Sequence, residues 1–352
     1  MNAPEQQLIA EKIRAAGARG TPLVIRGGGT KDFLGRSTEG EVLDVSALRG
    51  IVHYEPTELV ITARAGTPLP EIEAMLAERG QMLGFEPPHF GPGATLGGTI
   101  ACGLSGPARP FRGAARDFVL GTKIINGMGE VLSFGGEVMK NVAGYDVSRL
   151  MCGAYGTLGV LLEVSLKVLP RPASEITVVL EVDSESAFAH MSEWQRSPLP
   201  ISGLCYADGL LHARLSGAGQ AVTAARRSLG GEADAAGNDF WTRLREHRSA
   251  FFADGAELWR LSVPSMTHTS TIPGEQLVDW GGALRWLRTT DDADTLFTVA
   301  RAAGGHATHW RGSEADQVFQ PLPPPMLALQ RRLKQAFDPH GILNRGRMYP
   351  EL

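Results

Sequence analysis

Cysteine is scarce in this sequence, and the scarcity excludes two kinds of architecture. The 352 residues include three cysteines, Cys102, Cys152 and Cys205, which are odd in number and far apart. This usage argues against a disulfide framework and indicates a reducing compartment. No C-x-x-C is present, so the chain cannot by itself supply the thiolates that ligate an iron–sulfur cluster.

Long apolar runs and an excess of charge of one sign are also missing. No segment approaches the ~20 consecutive apolar residues of a transmembrane helix, and the first ten residues lack the apolar core of a signal peptide. Lys and Arg number 34 against 38 Asp and Glu, which gives a net charge of −4 and forms no basic cluster. We therefore expect a cytoplasmic protein that binds no nucleic acid.

The fingerprint of a nicotinamide-binding domain is absent as well. That fingerprint is G-x-G-x-x-G between a strand and a helix. The glycines at 27–29 are consecutive, and those at 91, 93 and 97 have one residue too many between the last two. A nicotinamide cofactor of the usual kind is therefore not expected.

Glycine, by contrast, is abundant, with 43 residues. Four glycine-rich segments lie in the first half of the chain, at 26–35, 87–106, 140–146 and 153–170. Glycine lets main-chain N–H groups approach an anion closely, so one long ligand lying across several loops would explain these segments together. The second segment begins a predicted helix, a natural place for a pyrophosphate. For the triple glycine alone, a tight turn without a ligand is the alternative.

The order of predicted elements indicates two domains. Before Pro170-Arg171-Pro172, helices are predicted at 5–17 and 71–79, and strands at 22–26, 42–45, 59–65, 118–126, 131–134 and 160–169. Beyond it, strands at 176–182, 202–206, 210–215, 257–263, 283–287 and 306–311 alternate with helices, which is typical of an α+β domain with an antiparallel sheet. The stretch "QPLPPPM" then separates this α+β domain from a last predicted helix at 326–337.

Several motifs in order resemble those of the vanillyl-alcohol-oxidase-type, or PCMH-type, FAD-binding family. They are R-G-G-G-T, A-T-L-G-G-T-x-A, K-N-x-x-G-Y-D, G-T-L-G-V-x-x-E-V and F-D-P-x-G-I-L-N. The stretches "IRGGGTKDFLG", "WGGALRW" and "GGHATHWRG" are more closely similar to the smaller flavoprotein subunits of glycolate oxidases. The resemblance implies an α+β fold: a PCMH-type FAD-binding domain of two α/β subdomains at 1–172, an antiparallel-sheet α+β cap at 173–320, and a segment at 321–352 that returns to the FAD domain.

The resemblance also implies which residues contact FAD. These are Arg26; Gly27, Gly28, Gly29 and Thr30 around the pyrophosphate; Ala94, Thr95, Gly97 and Gly98 on its other side; Gly103, Ser105 and Gly113 beside the isoalloxazine; Gly156, Thr157, Gly159 and Val160 at the adenosine end; and Asn344 from the C-terminal segment. Members with a flavin-linked histidine carry it just after the glycine loop, where this chain has Thr30-Lys31-Asp32. We therefore expect non-covalent FAD.

Oxidation of a 2-hydroxy acid by a flavin needs a cation for the carboxylate and a base for the hydroxyl proton. Arg260 and Arg311, on predicted cap strands, are candidates for the cation, and His306 is the candidate base because histidine titrates near neutral pH. Arg260 could instead be a solvated or ion-paired strand residue, and His306 a structural histidine. The histidines show no metal-ligand spacing, so no metal is expected.

The resemblance implies a complex that oxidises glycolate, or a similar small 2-hydroxy acid, to glyoxylate. Its partners would be a larger FAD-binding subunit and an iron–sulfur subunit that accepts the electrons, and they would place the chain peripherally on the inner face of a membrane. Two alternatives remain: a non-catalytic electron-relay or structural subunit of the same complex, and a stand-alone flavin oxidoreductase. Trp280 and Trp286 are candidates for partner contacts, with core packing as the alternative.

Overall fold

The computed structural model describes residues 3–136, 146–253, 257–312 and 317–352. In chain order, the elements up to residue 170 are α1 (Ala3–Arg19), β1 (Leu23–Arg26), β2 (Glu41–Asp44), β3 (Ile51–Glu55), β4 (Val60–Arg64), α2 (Leu69–Glu78), β5 (Gln81–Met82), α3 (Leu96–Cys102), α4 (Arg109–Arg112), α5 (Ala115–Phe118), β6 (Val119–Ile125), β7 (Val131–Gly135), α6 (Val147–Met151), β8 (Val160–Lys167) and β9 (Leu169–Pro170).

The elements after residue 170 continue the series. They are β10 (Ser174–Glu181), α7 (Ser184–Gln195), β11 (Ile201–Ala207), β12 (Leu210–Gly217), α8 (Gly219–Leu229), β13 (Glu232–Asp234), α9 (Gly237–Arg245), β14 (Leu258–Ser262), β15 (Glu275–Asp279), β16 (Leu284–Arg288), α10 (Ala293–Ala302), β17 (His306–Arg311) and α11 (Pro324–Phe337). None of the helices in the described ranges is long and apolar enough to cross a membrane.

The first of two compact units contains residues 1–104, 114–170 and 321–352. It has two parts. In one, α1 covers the parallel pair β1–β2, and Ile13 lies in a core with Leu43 and Leu343. In the other, five antiparallel strands are ordered β3-β4-β8-β6-β7, with Leu69 and Ile100 from α2 and α3 in its core. The motifs predicted two α/β parts for this unit, and the structure shows them.

The second unit contains residues 105–113 and 171–320 and is built on one antiparallel sheet. Its eight strands are ordered β13-β10-β12-β11-β15-β16-β14-β17. Leu204 and Leu211 of the inner strands pack with Met191 of α7 and Val222 of α8. At the other end of the sheet, Leu261, Phe297 and their neighbours form a second core beside α10. The predicted α+β unit with an antiparallel sheet is therefore confirmed.

Residues 105–113 do not follow the boundary predicted at 172, because they belong with the second unit. Phe111 packs against the core of that unit, and the carbonyl of Gly106 accepts a hydrogen bond from Trp280 Nε1 at 3.0 Å. Ser105 and Gly113 therefore belong to the second unit rather than to the glycine-rich part of the first. The motif K-N-x-x-G-Y-D at 140–146 lies outside the described residues except for Asp146.

Candidate flavin-binding site

A cavity of about 320 Å³ lies in the first unit, a volume within the range of small-molecule sites. Its walls come from the end of β1, the glycine loop that follows, the start of α3, the residues before β8 and the C-terminal segment. Of the residues predicted to contact FAD, eleven line it: Arg26, Gly27, Gly28, Gly29, Thr30, Thr95, Gly97, Gly98, Gly156, Gly159 and Asn344. The structure therefore gathers residues from four distant stretches of sequence around one space.

The glycine loop is packed backbone to backbone against a second loop. A Cβ on Gly28 would overlap the carbonyl oxygen of Gly93, and a Cβ on Gly27 would lie 2.7 Å from Thr95 Oγ1. Within the described part of the chain, the main-chain N–H groups of 27–30 have no hydrogen-bond acceptor in the protein. Consecutive N–H donors without acceptors are what an anion binds in such loops. The loop therefore fits the pyrophosphate of FAD.

The start of α3 does not offer the N–H groups that the sequence suggested. The N–H groups of Leu96 and Gly97 donate to the carbonyls of Thr67 and Ala65, at 2.9 and 2.7 Å. Thr95 is the N-cap residue, and its Oγ1 accepts from the N–H of Gly98 at 3.3 Å. Because these donors already have partners, α3 shapes the cavity wall, and the glycine loop remains as the source of donors for an anion.

Asn344 lies in the part of the cavity wall that comes from the C-terminal segment, and it holds two other segments in place. Its Oδ1 accepts from the N–H of Ile25 at 2.8 Å, and its Nδ2 donates to the carbonyl of Tyr155 at 2.6 Å. A Cβ on Gly156 would lie 2.7 Å from Nδ2, so the glycine is needed for this close approach. Asn344 therefore positions β1 and Tyr155 through its side chain, in addition to lining the cavity.

Four predicted contact residues of the first unit do not line the cavity. Ala94, Thr157 and Val160 are buried, with at most 4% of each residue exposed. Thr157 Oγ1 donates to the carbonyl of Ala154 at 2.7 Å, and Val160 begins β8 inside the core. Gly103 ends α3 in a left-handed conformation. These residues support the fold around the cavity. Motif spacing alone cannot distinguish such a structural role from contact with a ligand.

Side chains that the sequence analysis did not select also line the cavity, among them Lys31, Cys102 and Arg347. Burial raises the pKa of the Cys102 thiol to about 11, which keeps it protonated at neutral pH. The signal for Lys31 was its place directly after the glycine loop. For Arg347 the sequence carried no signal, because its role depends on a contact with a loop far away in the chain.

In the second unit, Arg260 and His306 lie on one face of the sheet. Arg260 is on β14, and His306 of β17 is paired with Ser262, two residues further along β14. In an antiparallel pair, two directly opposite residues point to the same face of the sheet, and so do residues i and i+2 of one strand. His306 therefore lies on the same face as Arg260, as its diagonal neighbour. The structure therefore brings the predicted cation and the predicted base together. Arg311 instead donates to the carbonyl of Phe252 at 3.2 Å.

Trp280 and Arg109 extend this cluster, and sequence reasoning did not assign them to it. The guanidinium carbons of Arg109 and Arg260 lie 4.4 and 5.0 Å from the centre of one Trp280 ring. Trp280 has φ = 54°, an uncommon conformation for a bulky residue, and Asp279 Oδ1 accepts from its N–H at 2.6 Å. Trp280 and Trp286 are 4% and 5% exposed, so their interpretation as partner contacts is wrong.

Burial and the two arginines together favour the neutral form of His306. Desolvation, followed by the positive charges of Arg260 and Arg109, lowers the pKa of His306 below its usual value. The imidazole is therefore neutral at neutral pH, the form that accepts a proton. The cluster combines cations suited to a carboxylate with a neutral base.

Comparisons with known proteins agree with this fold. A family model described as FAD binding domain matches residues 3–135, and one described as FAD linked oxidases, C-terminal domain, matches residues 286–348. A solved structure of alkyldihydroxyacetonephosphate synthase has the same fold, with a TM-score of 0.67 over 96% of this chain and 74% of that chain at 15% identity.

Two relatives show how far the similarity extends. Glycolate oxidase subunit GlcD of Bacillus subtilis is 30% identical over 170 residues, which cover 48% of this chain and 36% of the relative. Glycolate oxidase subunit GlcE of Escherichia coli is 55% identical over 346 residues, which cover 98% of both chains. The chain therefore belongs to the family of glycolate oxidase subunit GlcE, and it is an FAD-dependent oxidoreductase subunit.

Proposed function

We propose that this chain is the FAD-binding subunit of a glycolate oxidase complex and oxidises glycolate, or a similar small 2-hydroxy acid, to the 2-oxo acid. The observation that carries the proposal is the cluster of Arg109, Arg260 and His306 around Trp280, because it supplies both the anion site and the base that this reaction needs. The name of the Escherichia coli relative supports the choice of glycolate.

The proposed roles follow from the chemistry of each side chain. The planar guanidinium of Arg260, with Arg109 beside it, binds the substrate carboxylate. His306 accepts the proton of the hydroxyl group, and the hydrogen on the same carbon leaves with its electron pair, so that the C–OH group becomes a carbonyl. Bound FAD would supply the acceptor for that electron pair and would be held without a covalent bond.

Replacement of Arg109 is expected to shift the pH dependence of the reaction. The Arg109 charge helps to keep the pKa of His306 low, so Arg109→Gln raises that pKa toward its usual value. His306 then becomes protonated at a higher pH, and the acid limb of kcat/KM moves upward in pH. A pH profile of the variant measures the shift. Arg112→Gln, on the same short helix but paired with Glu175, should leave the limb in place; a limb that moves in neither variant contradicts the role of His306.

We infer that the electrons leave through another polypeptide, because three cysteines are fewer than the four thiolates that usually ligate an iron–sulfur cluster. We propose that a larger FAD-binding subunit and an iron–sulfur subunit are the partners, and that they hold this chain at the inner face of a membrane. The name of the Escherichia coli relative, a subunit, supports a complex of this kind.

Anaerobic mixing with glycolate tests the proposed function. The purified chain alone should lose the visible absorbance of oxidised flavin on mixing, and acid precipitation should release the flavin into the supernatant. Arg260→Gln should retain flavin but lose most of the bleaching at the same glycolate concentration. If the chain bleaches only when co-expressed with its partners, and Arg260→Gln in that complex bleaches normally, the non-catalytic relay role replaces the proposal.

A further inference from the structure

The turn between β15 and β16, residues 279–283, has a strained backbone, and we call it the Trp280 turn. Three consecutive residues in it have positive φ: Trp280 at 54°, Gly281 at 58° and Gly282 at 101°. This conformation is costly for a bulky residue such as tryptophan, and it persists only where the surrounding structure enforces it. Strain of this kind is concentrated at functional sites, and this turn carries the ring that Arg109 and Arg260 both contact.

Arg285 of β16 is a fully buried cation that binds the Trp280 turn. None of the residue is exposed, and its Nη1 donates to the carbonyl of Gly282. Its Nη2 donates to the carbonyl of Thr267 at 2.6 Å, and its guanidinium carbon lies 4.8 Å from the centre of the Phe188 ring. Burial lowers the pKa of Arg285 to about 10, so the side chain stays charged at neutral pH. Arg285 therefore ties the turn to the loop that contains Thr267.

A buried arginine is a costly way to hold a turn. Within the described parts of the chain, the partners of the Arg285 guanidinium are two carbonyls and an aromatic ring, and none of them is a carboxylate. Burial of a charge is unfavourable where no opposite charge offsets it. The presence of Arg285 is therefore better explained by the backbone conformation that it enforces than by a gain in stability.

Gln195, at the end of α7, holds the middle of the same turn. Its Nε2 donates to the carbonyl of Gly281 at 2.9 Å and to the carbonyl of Met191 at 3.0 Å. A Cβ on Gly281 would lie 2.7 Å from Gln195 Oε1. A Cβ on Gly282 would overlap the carbonyl oxygen of Ser265. The turn therefore fits its surroundings only with glycine at both positions, and each of these glycines has its carbonyl bound by a side chain.

The ring of Trp280 connects the turn to the two arginines of the candidate substrate site. Its Nε1 donates to the carbonyl of Gly106 at 3.0 Å. The guanidinium carbons of Arg109 and Arg260 lie 4.4 and 5.0 Å from the centre of the ring. A tryptophan ring attracts cations to its face, and this attraction offsets part of the repulsion between two like charges. The position of the ring therefore helps to fix where the two charges lie.

We propose that Arg285 and Gln195 are positioning residues for the substrate site: they hold the Trp280 turn in its strained conformation, and the turn holds the ring against Arg109 and Arg260. Without one of these donors the turn relaxes and the ring moves away from the guanidinium groups. The anion site for the substrate carboxylate is then weakened. The role of the two arginines rests on the proposed function, whereas the hold on the turn depends on no ligand.

An NMR spectrum of the indole N–H groups tests the hold on the turn without substrate. The chain has six tryptophans, so isotope-labelled tryptophan gives six indole signals, and Trp280→Phe identifies the one from Trp280. This signal should shift in Arg285→Met and in Gln195→Met. Its N–H should exchange with solvent about 10-fold faster in Arg285→Met and about threefold faster in Gln195→Met, because local opening exposes it. The smaller effect follows from the exposure of Gln195, whose bonds water can replace.

Matched controls separate these contacts from a general loss of side chains. Arg288→Met changes an arginine at the end of the same strand, which pairs with Glu275 at 3.3 Å. Gln220→Met changes an exposed glutamine at the start of α8. Both should leave the Trp280 signal in place. Arg285→Lys keeps the charge and has donors for the carbonyls, so it should restore part of the signal.

The dependence of anaerobic flavin bleaching on glycolate concentration tests the consequence for the site. The half-saturating glycolate concentration should rise about 10-fold in Arg285→Met and about threefold in Gln195→Met, with a smaller change in the limiting rate, because substrate binding is what weakens. Arg285→Lys should recover part of this loss, and Arg288→Met should behave like the wild type.

Two outcomes overturn the proposal. One is an unchanged Trp280 signal in Gln195→Met and in each Arg285 variant that folds. The other is a normal half-saturating concentration in these variants while Arg260→Gln raises it. If the Trp280 signal moves and Arg260→Gln also leaves the half-saturating concentration unchanged, the two residues do hold the turn, and the proposed function is what fails.

Discussion

Gly28→Val is expected to give a protein that contains no FAD. The side chain of valine has no room, because a Cβ at this position would overlap the carbonyl oxygen of Gly93 in the neighbouring loop. The two loops must separate, which moves the N–H groups of 27–30 away from the pyrophosphate. Since these donors act together, we expect FAD affinity to fall by more than about a thousandfold, on the order of 4 kcal/mol for several charge-assisted hydrogen bonds.

The ratio of flavin to protein absorbance after purification measures this effect, and circular dichroism checks the fold. Gly219→Val is the matched control, because Gly219 is exposed at the start of α8 and a Cβ there meets no atom within 4 Å. The control should purify yellow and the Gly28→Val protein colourless. A yellow Gly28→Val protein with normal affinity would mean that the glycine loop is only a turn.

Lys334→Met is expected to destabilise the first unit by about 3–5 kcal/mol, the cost of leaving one partner of a buried ion pair without its counter-charge. Lys334 Nζ donates to Asp338 Oδ2 at 2.8 Å and to the carbonyls of Thr157 and Leu343 at 2.8 and 2.7 Å. Asp338 is 1% exposed, and its Oδ2 also accepts from the N–H of Leu343. The variant leaves the buried carboxylate without its counter-charge and two carbonyls without the Lys334 donor.

The temperature at which FAD fluorescence appears reports the unfolding of the first unit, and it should fall by about 10 °C or more. Arg331→Met, an exposed position one turn earlier on α11, should change it little. The double variant Lys334→Met with Asp338→Leu should recover part of the loss, because removing both charges costs less than removing one. Equal losses in the single and double variants would show that packing, and not charge, dominates.

Strands with a buried face could be predicted from the sequence, and strands without one could not. β8 is almost continuously apolar and nearly all buried, so its pattern was visible. β3 was missed, because none of its five residues is buried and no alternation marks it. β15 was missed although its last three residues are buried, because Leu277 and Val278 are its only apolar residues and they show no alternation. Hydrophobic periodicity reflects which side chains are buried. It does not predict a strand that is stabilised mainly by its backbone pairing with a neighbouring strand.

The residues of the candidate site also fall into two groups, those that the sequence could identify and those that it could not. The glycines at 27–29 could be selected because close backbone approach leaves few other residues acceptable. Lys31 could be noticed only from its place directly after the glycine loop, and Arg347 could not be selected at all, because a lone cation in sequence is far more often a solvated side chain. The meeting of Arg109 with Arg260 over Trp280 depends on the segment 105–113 joining the second unit, for which the glycine- and proline-rich sequence carried no signal.

The C-terminal segment also determines when the cavity can form during synthesis. Asn344 holds β1 and Tyr155, and Arg347 binds the glycine loop, although β1 and that loop are among the first parts of the chain to leave the ribosome. Domains generally fold from the N-terminus onward as they emerge, so the five-stranded sheet can assemble before residue 344 has been made. The cavity is therefore complete only after translation has passed residue 347, so an FAD molecule that needs all of its walls binds only after that point.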